Sequence, residues 1–327
     1  MSTLITGVSG QDGRILARML SMKDDQIFGI CRPGQKQVIS KYCPSIVVFE
    51  IDLMDEDQLV KTLHTIKPTK IYNLAGFSSV NASWQNPTHV TRINSVVPTV
   101  ILNWCLKYQP ETRFVNASSS EIFGGTNTTP QNEETPLMPI TPYGLSKGFA
   151  HNLIRIYRKQ YGLFASNAIL YNHESPLRDH KFVTRKISKA VAQIALGSNV
   201  TLELGDLQSK RDWGWAPDYV VGLKKMMEHD APDDFVLATG QSHLVEDLVR
   251  FAFNRIGISD FSPHIRHGMQ NDRPVDPSSL LGDSALAYRI LGWETSTSLQ
   301  NIIEQMVDFD IELLNNPNSQ WFPNSGS

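Results

Sequence analysis

The chain has 327 residues, 41% of them apolar and 19% charged, with 30 basic against 33 acidic side chains and a net charge of -3. That composition supports a large buried core and excludes a mainly disordered or fibrous chain, and the charge balance offers no basic field for nucleic acid. Three cysteines (Cys31, Cys43 and Cys105) without CxxC spacing argue against a disulfide framework or a cysteine zinc site. With no signal-like start and no apolar run of about 18 residues, a cytoplasmic protein that makes no membrane contact is expected.

In chain order, Leu4 and Ile5 close a very short first strand, and residues 7–13 form a turn. Apolar side chains at 15, 16, 19 and 20 put a helix over 15–22. Strands follow at 26–31 and 46–51, a helix at 55–66, a strand at 70–74, a long apolar helix at 94–108 and a strand at 113–117. A helix over 142–161 and a strand over 165–170 complete the alternating part. Strands alternating with helices imply crossover connections, and so an α/β fold with a Rossmann-like, doubly wound parallel sheet. The alternation stops near Tyr171. Pro, Asp, His and Arg gather in 172–181 and again in 264–277. The organisation read from this is a dinucleotide-binding domain over 1–171 and a smaller, mainly substrate-facing C-terminal domain over 172–327. Residues of about 212–240 return to the first domain, because 235–238 reads as a strand. The Asn-, Pro- and Ser-rich tail, 315–327, is expected to fray.

Between the first strand and helix stand Gly7, Val8, Ser9, Gly10, Gln11, Asp12 and Gly13. Three glycines at spacing three permit a tight turn, close approach of backbone to a pyrophosphate, and close helix packing. The helix N-terminus then offers its N–H groups to the phosphates. Gly7, Ser9, Gly10, Gln11, Asp12 and Gly13 are therefore candidate cofactor contacts. The second strand ends in Cys31-Arg32 with no acid to take a ribose 2′-hydroxyl. Arg32 is read as the partner of a 2′-phosphate, and the cofactor as NADP; a solvated loop arginine is the plain alternative. Asp52 is placed either to reach the adenine or to cap a helix. Leu53 beside it and Leu74, ending the fourth strand, join the cofactor set.

Tyr143 and Lys147 lie four apart at the start of a helix, on one face. A free tyrosine titrates near 10, too high for a base at neutral pH, and a neighbouring cation is expected to stabilise its phenolate. Ser118, Ser119, Ser120 and Glu121 follow the fifth strand, at the carboxyl end where ligands bind in open α/β sheets. Ser119 can hydrogen-bond the same substrate oxygen as Tyr143. Glu121 suggests a second proton transfer, α to a carbonyl. No ligand cluster for a metal is present.

Taken together, these residues resemble the extended short-chain dehydrogenase/reductase superfamily, and within it the GDP-mannose 4,6-dehydratases. The resemblance spans nearly the whole chain and is most specific at residues 7–13, 118–121, 171–176, 182–188 and 210–214. It implies that Ser119, Glu121, Tyr143 and Lys147 are catalytic. It implies cofactor contact for His173 besides Tyr143, Lys147 and the turn. It implies sugar or diphosphate contact for Ser79, Ser119, Glu121, Asn172 and Arg211, and nucleotide contact for Val183, Lys186 and Arg273. The implied reaction oxidises C4 of GDP-mannose, eliminates water across C5 and C6, and returns the hydride to C6. A GDP-4-keto-6-deoxymannose reductase, a dehydratase for a heptose or N-acetylated GDP-sugar, and a non-catalytic NADP-binding module are the alternatives. The family usually carries a longer basic stretch after the second strand; here a lone Arg32 and a short 33–44 connection favour a homodimer over a tetramer. The segment 265–283 is also shorter than usual. Two helices, 94–108 with Val96, Val97, Val100, Leu102 and Trp104, and the one carrying Tyr143, are candidates for the dimer contact, although such helices are as readily internal core.

Overall fold

Seven short, mostly apolar strands set the architecture. The computed structural model describes residues 2–22, 26–268 and 280–323; Arg273 lies outside them. The strands β1 (Ser2–Thr6), β2 (Gln26–Cys31), β3 (Val47–Glu50), β4 (Lys70–Asn73), β5 (Arg113–Ala117) and β6 (Ala165–Leu170) alternate with α1 (Gln11–Leu20), α2 (Lys36–Tyr42) and α3 (Glu56–Ile66), then with the short α4 (Val80–Ser83) and α5 (Pro87–Thr91), α6 (Val97–Tyr108) and α7 (Pro142–Tyr161). After β6 come β7 (Asn172–Glu174), α8 (Val183–Ala195), β8 (Leu202–Leu204), β9 (Lys210–Arg211), β10 (Trp213–Trp215), α9 (Ala216–Glu228) and β11 (Phe235–Leu237). The order β11-β6-β5-β4-β1-β2-β3 is parallel throughout. It reverses direction at β1, the switch point where ligands bind outside the carboxyl ends of the strands.

Buried clusters flank this sheet. Ile15, Leu16, Tyr219, Leu223 and Phe235 lie in one, and Leu59, Leu63, Ile101, Trp104 and Ile154 in the other. A third cluster joins α8 to β8, β10, α10 (Val245–Arg255) and α12 (Leu299–Asn315). β10 pairs parallel with β7, placing Trp213 beside Asn172 and Gly214 beside His173. The dipeptide strand β9 pairs antiparallel with His243–Leu244.

Several boundaries differ from those read in the sequence. Helix α1 begins four residues earlier than expected, because Gly13 is a packing residue within its first turn rather than a breaker. A Cβ at Gly13 would stand 2.4 Å from the Gly7 oxygen. Asp55, not Asp52, caps α3, accepting from the Gln58 N–H at 3.0 Å; Asp52 instead accepts from the Met54 N–H. A π-helical turn over Arg92–Val96 precedes α6. The short 33–44 connection holds α2. The tail does not fray through residue 323: Trp321 meets Trp215 edge-on at 5.4 Å, and Phe322 lies 4.9 Å from Tyr42.

Candidate functional site

The phosphate turn is built by close approach. Gly7 takes φ +70°, and a Cβ there would meet the Ala75 backbone at 2.8 Å. Gly10 precedes α1 without a capping side chain, so the first N–H groups of the helix face outward for an anion. Ser9 donates to Gln35 Oε1 at 2.5 Å, which ties the turn to the loop after β2, where Arg32 is exposed. These features fit a dinucleotide diphosphate: the turn admits backbone only where a side chain would clash. Gln11 is turned inward. Its amide donates to the His173 carbonyl at 3.0 Å and accepts from Ser175 Oγ at 2.8 Å. It thereby fastens the turn to the segment after β6.

Asp12 makes the second tie, with its Oδ2 3.0 Å from His173 Nε2. His173 Nδ1 faces the Tyr171 carbonyl at 2.7 Å. Both ring nitrogens face acceptors, an arrangement that favours the protonated ring. Burial opposes that charge, but the Asp12 carboxylate outweighs it and raises the His173 pKa. Burial likewise opposes the Asp12 charge, and His173 outweighs it, holding the carboxyl below its ordinary value. The ring stacks on Tyr219, with centroids 4.8 Å apart.

A cleft of about 720 Å³ opens over the carboxyl ends of β4, β5 and β6. Ser119, Glu121, Tyr143 and Lys147 all line it and are all buried. Ser119 accepts from the Glu121 N–H at 3.3 Å and starts a short 3-10 turn, which turns Glu121 back toward the tyrosine. Thr141 caps α7, with Pro142 at its first position, so the helix starts sharply under Tyr143. Lys147 Nζ donates to the Ala117 carbonyl at 2.8 Å and lies 6.0 Å from the Tyr143 ring centre. Gly76 leaves the room: a Cβ there would stand 2.9 Å from Asn94 Oδ1 and 3.3 Å from Lys147 Nζ. Asn94, in the π-helical turn, donates to Ser146 Oγ at 3.0 Å and so braces α7.

Burial pushes the Tyr143 phenol up to about 12; the Ser119 hydrogen bond works against the rise and the Glu121 charge adds to it. Burial draws Lys147 down to about 8. Burial is the dominant influence on both groups. The ammonium is engaged with a backbone carbonyl, and desolvation of the phenolate dominates.

Ser79, Asn172, Val183, Lys186 and Arg211 line the same cleft, as do Asp12, Leu74 and His173. Lys186 donates to the Glu203 carbonyl, and Arg211 donates to the Lys210 carbonyl at 2.6 Å. Ser79 caps α4 through the Ala82 N–H. Arg32, Asp52 and Leu53 lie outside the cleft lining, at the carboxyl ends of β2 and β3. The sequence reading missed Arg178. It lines the cleft, reaches Glu174 Oε2 at 3.2 Å and lies 3.5 Å over the Phe182 ring. Its signal was its place two residues beyond the 171–176 motif. Thr184 donates to the same Glu174 oxygen at 2.5 Å, so Glu174 joins β7 to α8.

A model of the family described as GDP-mannose 4,6 dehydratase matches residues 4–306. A GDP-mannose 4,6-dehydratase of Sordaria araneosa is 37% identical over 96% of this chain, and the chain spans 61% of that protein's length. The human GDP-mannose 4,6 dehydratase is 35% identical over 97% of this chain and 93% of its own. The chain belongs to the GDP-mannose 4,6-dehydratase family. The family is one of nucleotide-sugar hydro-lyases. A dTDP-glucose 4,6-dehydratase of Streptomyces venezuelae, solved with NAD bound, superposes with a TM-score of 0.83 at 21% identity, over 97% of this chain and 98% of that one. Among the described residues no group of side chains could hold a metal ion, and no helix is long and apolar enough to cross a membrane.

Proposed function

We propose that the chain converts GDP-mannose to GDP-4-keto-6-deoxymannose, and that the roles divide as follows. Tyr143 Oη takes the proton of the sugar 4-hydroxyl, with the Ser119 hydroxyl holding the same oxygen. A bound nicotinamide supplies the hydride acceptor for C4 and the hydride donor for C6. Glu121 removes the proton at C5, made acidic by the 4-keto group, and protonates the departing C6 hydroxyl. Tyr143 then protonates C5. Lys147 supplies positive charge beneath the tyrosine and the ribose. The observation that carries this reading is the buried Glu121 beside Ser119 and Tyr143 in one cleft. A plain 4-keto reductase has no use for that second acid.

Arg211 is read as the partner of the diphosphate, whose charge suits a guanidinium fork. Val183 and Lys186 hold the guanine nucleotide, and Asn172 and Ser79 the sugar. Arg178, His173 and the glycine turn hold the dinucleotide. The absence of an acid at the end of β2 and the exposed Arg32 after it support NADP over NAD. The buried, unpaired Cys31, Cys43 and Cys105 suit a reducing compartment such as the cytoplasm. A homodimer through α7 is supported by exposed Leu145, Phe149 and Ile156 along that helix, whereas Val97, Leu102 and Trp104 of α6 are buried within the subunit.

GDP-mannose deuterated at C4 tests the reading. Internal transfer places the label at C6 of the product. A deoxy product without the label, or recovery of labelled GDP-mannose alone, contradicts it.

A further inference from the structure

A second cleft, of about 330 Å³, lies beside α1 and α2, walled by residues 176–185, the end of α12 and the docked tail. It is too small for a dinucleotide or a GDP-sugar, and falls at the lower end of small-ligand sites. Its lining is basic: Arg14, Lys41, His180 and Arg185 face it, and Arg178 is shared with the larger cleft. The acids nearby are already engaged. Asp310 takes one nitrogen of Arg185 together with Ser188, and Glu174 takes Arg178. Among the described residues, Arg14 donates to the Gly10 and Leu177 carbonyls, at 3.4 and 3.0 Å, neither of which neutralises it. Burial and the charge on Arg185 both draw Arg14 below its ordinary value, so these cations crowd one another.

Among the described residues, three buried donors in the walls make no hydrogen bond: Tyr42 Oη, on a side chain 4% exposed, Arg185 Nε, on one 2% exposed, and Arg178 Nε, which faces Glu174 as an ion pair. Buried donors without partners are uncommon, and an acceptor in the cleft would satisfy them. Phe309, Leu313 and Trp321 supply an apolar wall opposite the cations. We propose that this cleft binds a phosphate monoester carried on an apolar or aromatic body. The dianion meets the guanidinium groups and the Tyr42 hydroxyl, and the body lies on the Phe309 and Trp321 wall. The proposal does not depend on the dehydratase reading.

The test is calorimetric titration of the full chain with phenyl phosphate and with inorganic phosphate, in the presence of saturating NADP⁺ and GDP to fill the larger cleft. Phenyl phosphate should bind once per chain and more tightly than inorganic phosphate. Lys41→Glu and Tyr42→Phe should each weaken it by about tenfold, the loss expected for a contact to a charged group. Tyr42→Phe should unfold at no lower temperature than the parent, because the deleted hydroxyl has no partner, so its effect reads binding rather than folding. Absence of saturable phenyl phosphate binding, equal affinity for the two phosphates, or affinity unchanged in both variants would overturn the proposal.

Discussion

Tyr143, Lys147, Ser119 and Glu121 come from two neighbouring stretches of chain, and their place after a glycine turn and at a strand's carboxyl end, with the family resemblance, singled them out. The YxxxK interval places two side chains on one helix face whatever the surroundings. What spacing could not convey was electrostatics. Burial raises Tyr143 and lowers Lys147, because neither charge is solvated in the cleft wall. Also illegible was the Asp12–His173 pair, whose members stand 161 positions apart. Two substitutions separate the proposed roles. Tyr143→Phe should lower kcat by about 10²–10⁴-fold, the range for a lost acid-base group, with cofactor affinity retained; near-parental turnover would remove the tyrosine from the account. Glu121→Gln should still oxidise C4 and then stall, so that one equivalent of reduced nicotinamide absorbance persists after GDP-mannose is added. Prompt decay of that absorbance with release of deoxy sugar is the contrary outcome.

At the level of elements, β2, β5, β6 and α7 occur where hydrophobic periodicity puts them, because their apolar residues recur at the strand or helix interval despite interspersed polar ones. Helix α2 and the docked tail escaped notice because their anchors are distant: Tyr42 packs on Phe322, which no local pattern announces. Behind α7 lies a buried network equally invisible in sequence. His151 Nδ1 is 3.2 Å from Ser118 Oγ, and its Nε2 is 3.6 Å from Asp234. Asp234 in turn holds Arg158 through two bonds of 2.9 Å and accepts from Asn167. Burial drives His151 down to about 4, and Asp234, already committed to Arg158, is too weak a counter-charge to prevent it. The folded-state pKa is below the unfolded one, so the unfolded chain binds the extra proton between about pH 6.5 and 4. Stability therefore falls as pH falls through that window, by about 3 kcal/mol at the acid end. Denaturant melts of His151→Asn against the parent should show this slope reduced in the variant. Equal slopes would mean that the imidazole stays protonated in the fold.

For the whole molecule, the alternation of strands and helices was enough to anticipate a doubly wound parallel sheet. The fine structure beyond Tyr171 was not, because strands such as β7, β9 and β10 are two or three residues long and exist through distant pairing, β7 with β10 and β9 with His243–Leu244. The β7–β10 pairing brings residues 172–174 beside 213–215 in the wall of the cleft. Association is the second whole-molecule question. Leu145 is 64% exposed and Phe149 54%, one turn apart on α7. If α7 forms the dimer contact, the double variant Leu145→Glu and Phe149→Glu should sediment as a monomer while the parent sediments as a dimer. A dimeric variant would move the interface elsewhere.

In the proposed reaction, one cleft oxidises, dehydrates and re-reduces a GDP-hexose. The most direct measurement is incubation of the purified chain with GDP-mannose and a trace of NADP⁺, followed by mass spectrometry of the nucleotide sugar. Because the hydride stays internal, the account predicts complete conversion to a product lighter by about 18 mass units with only catalytic cofactor. Unchanged GDP-mannose, or product that stops at the amount of NADP⁺ supplied, would contradict it.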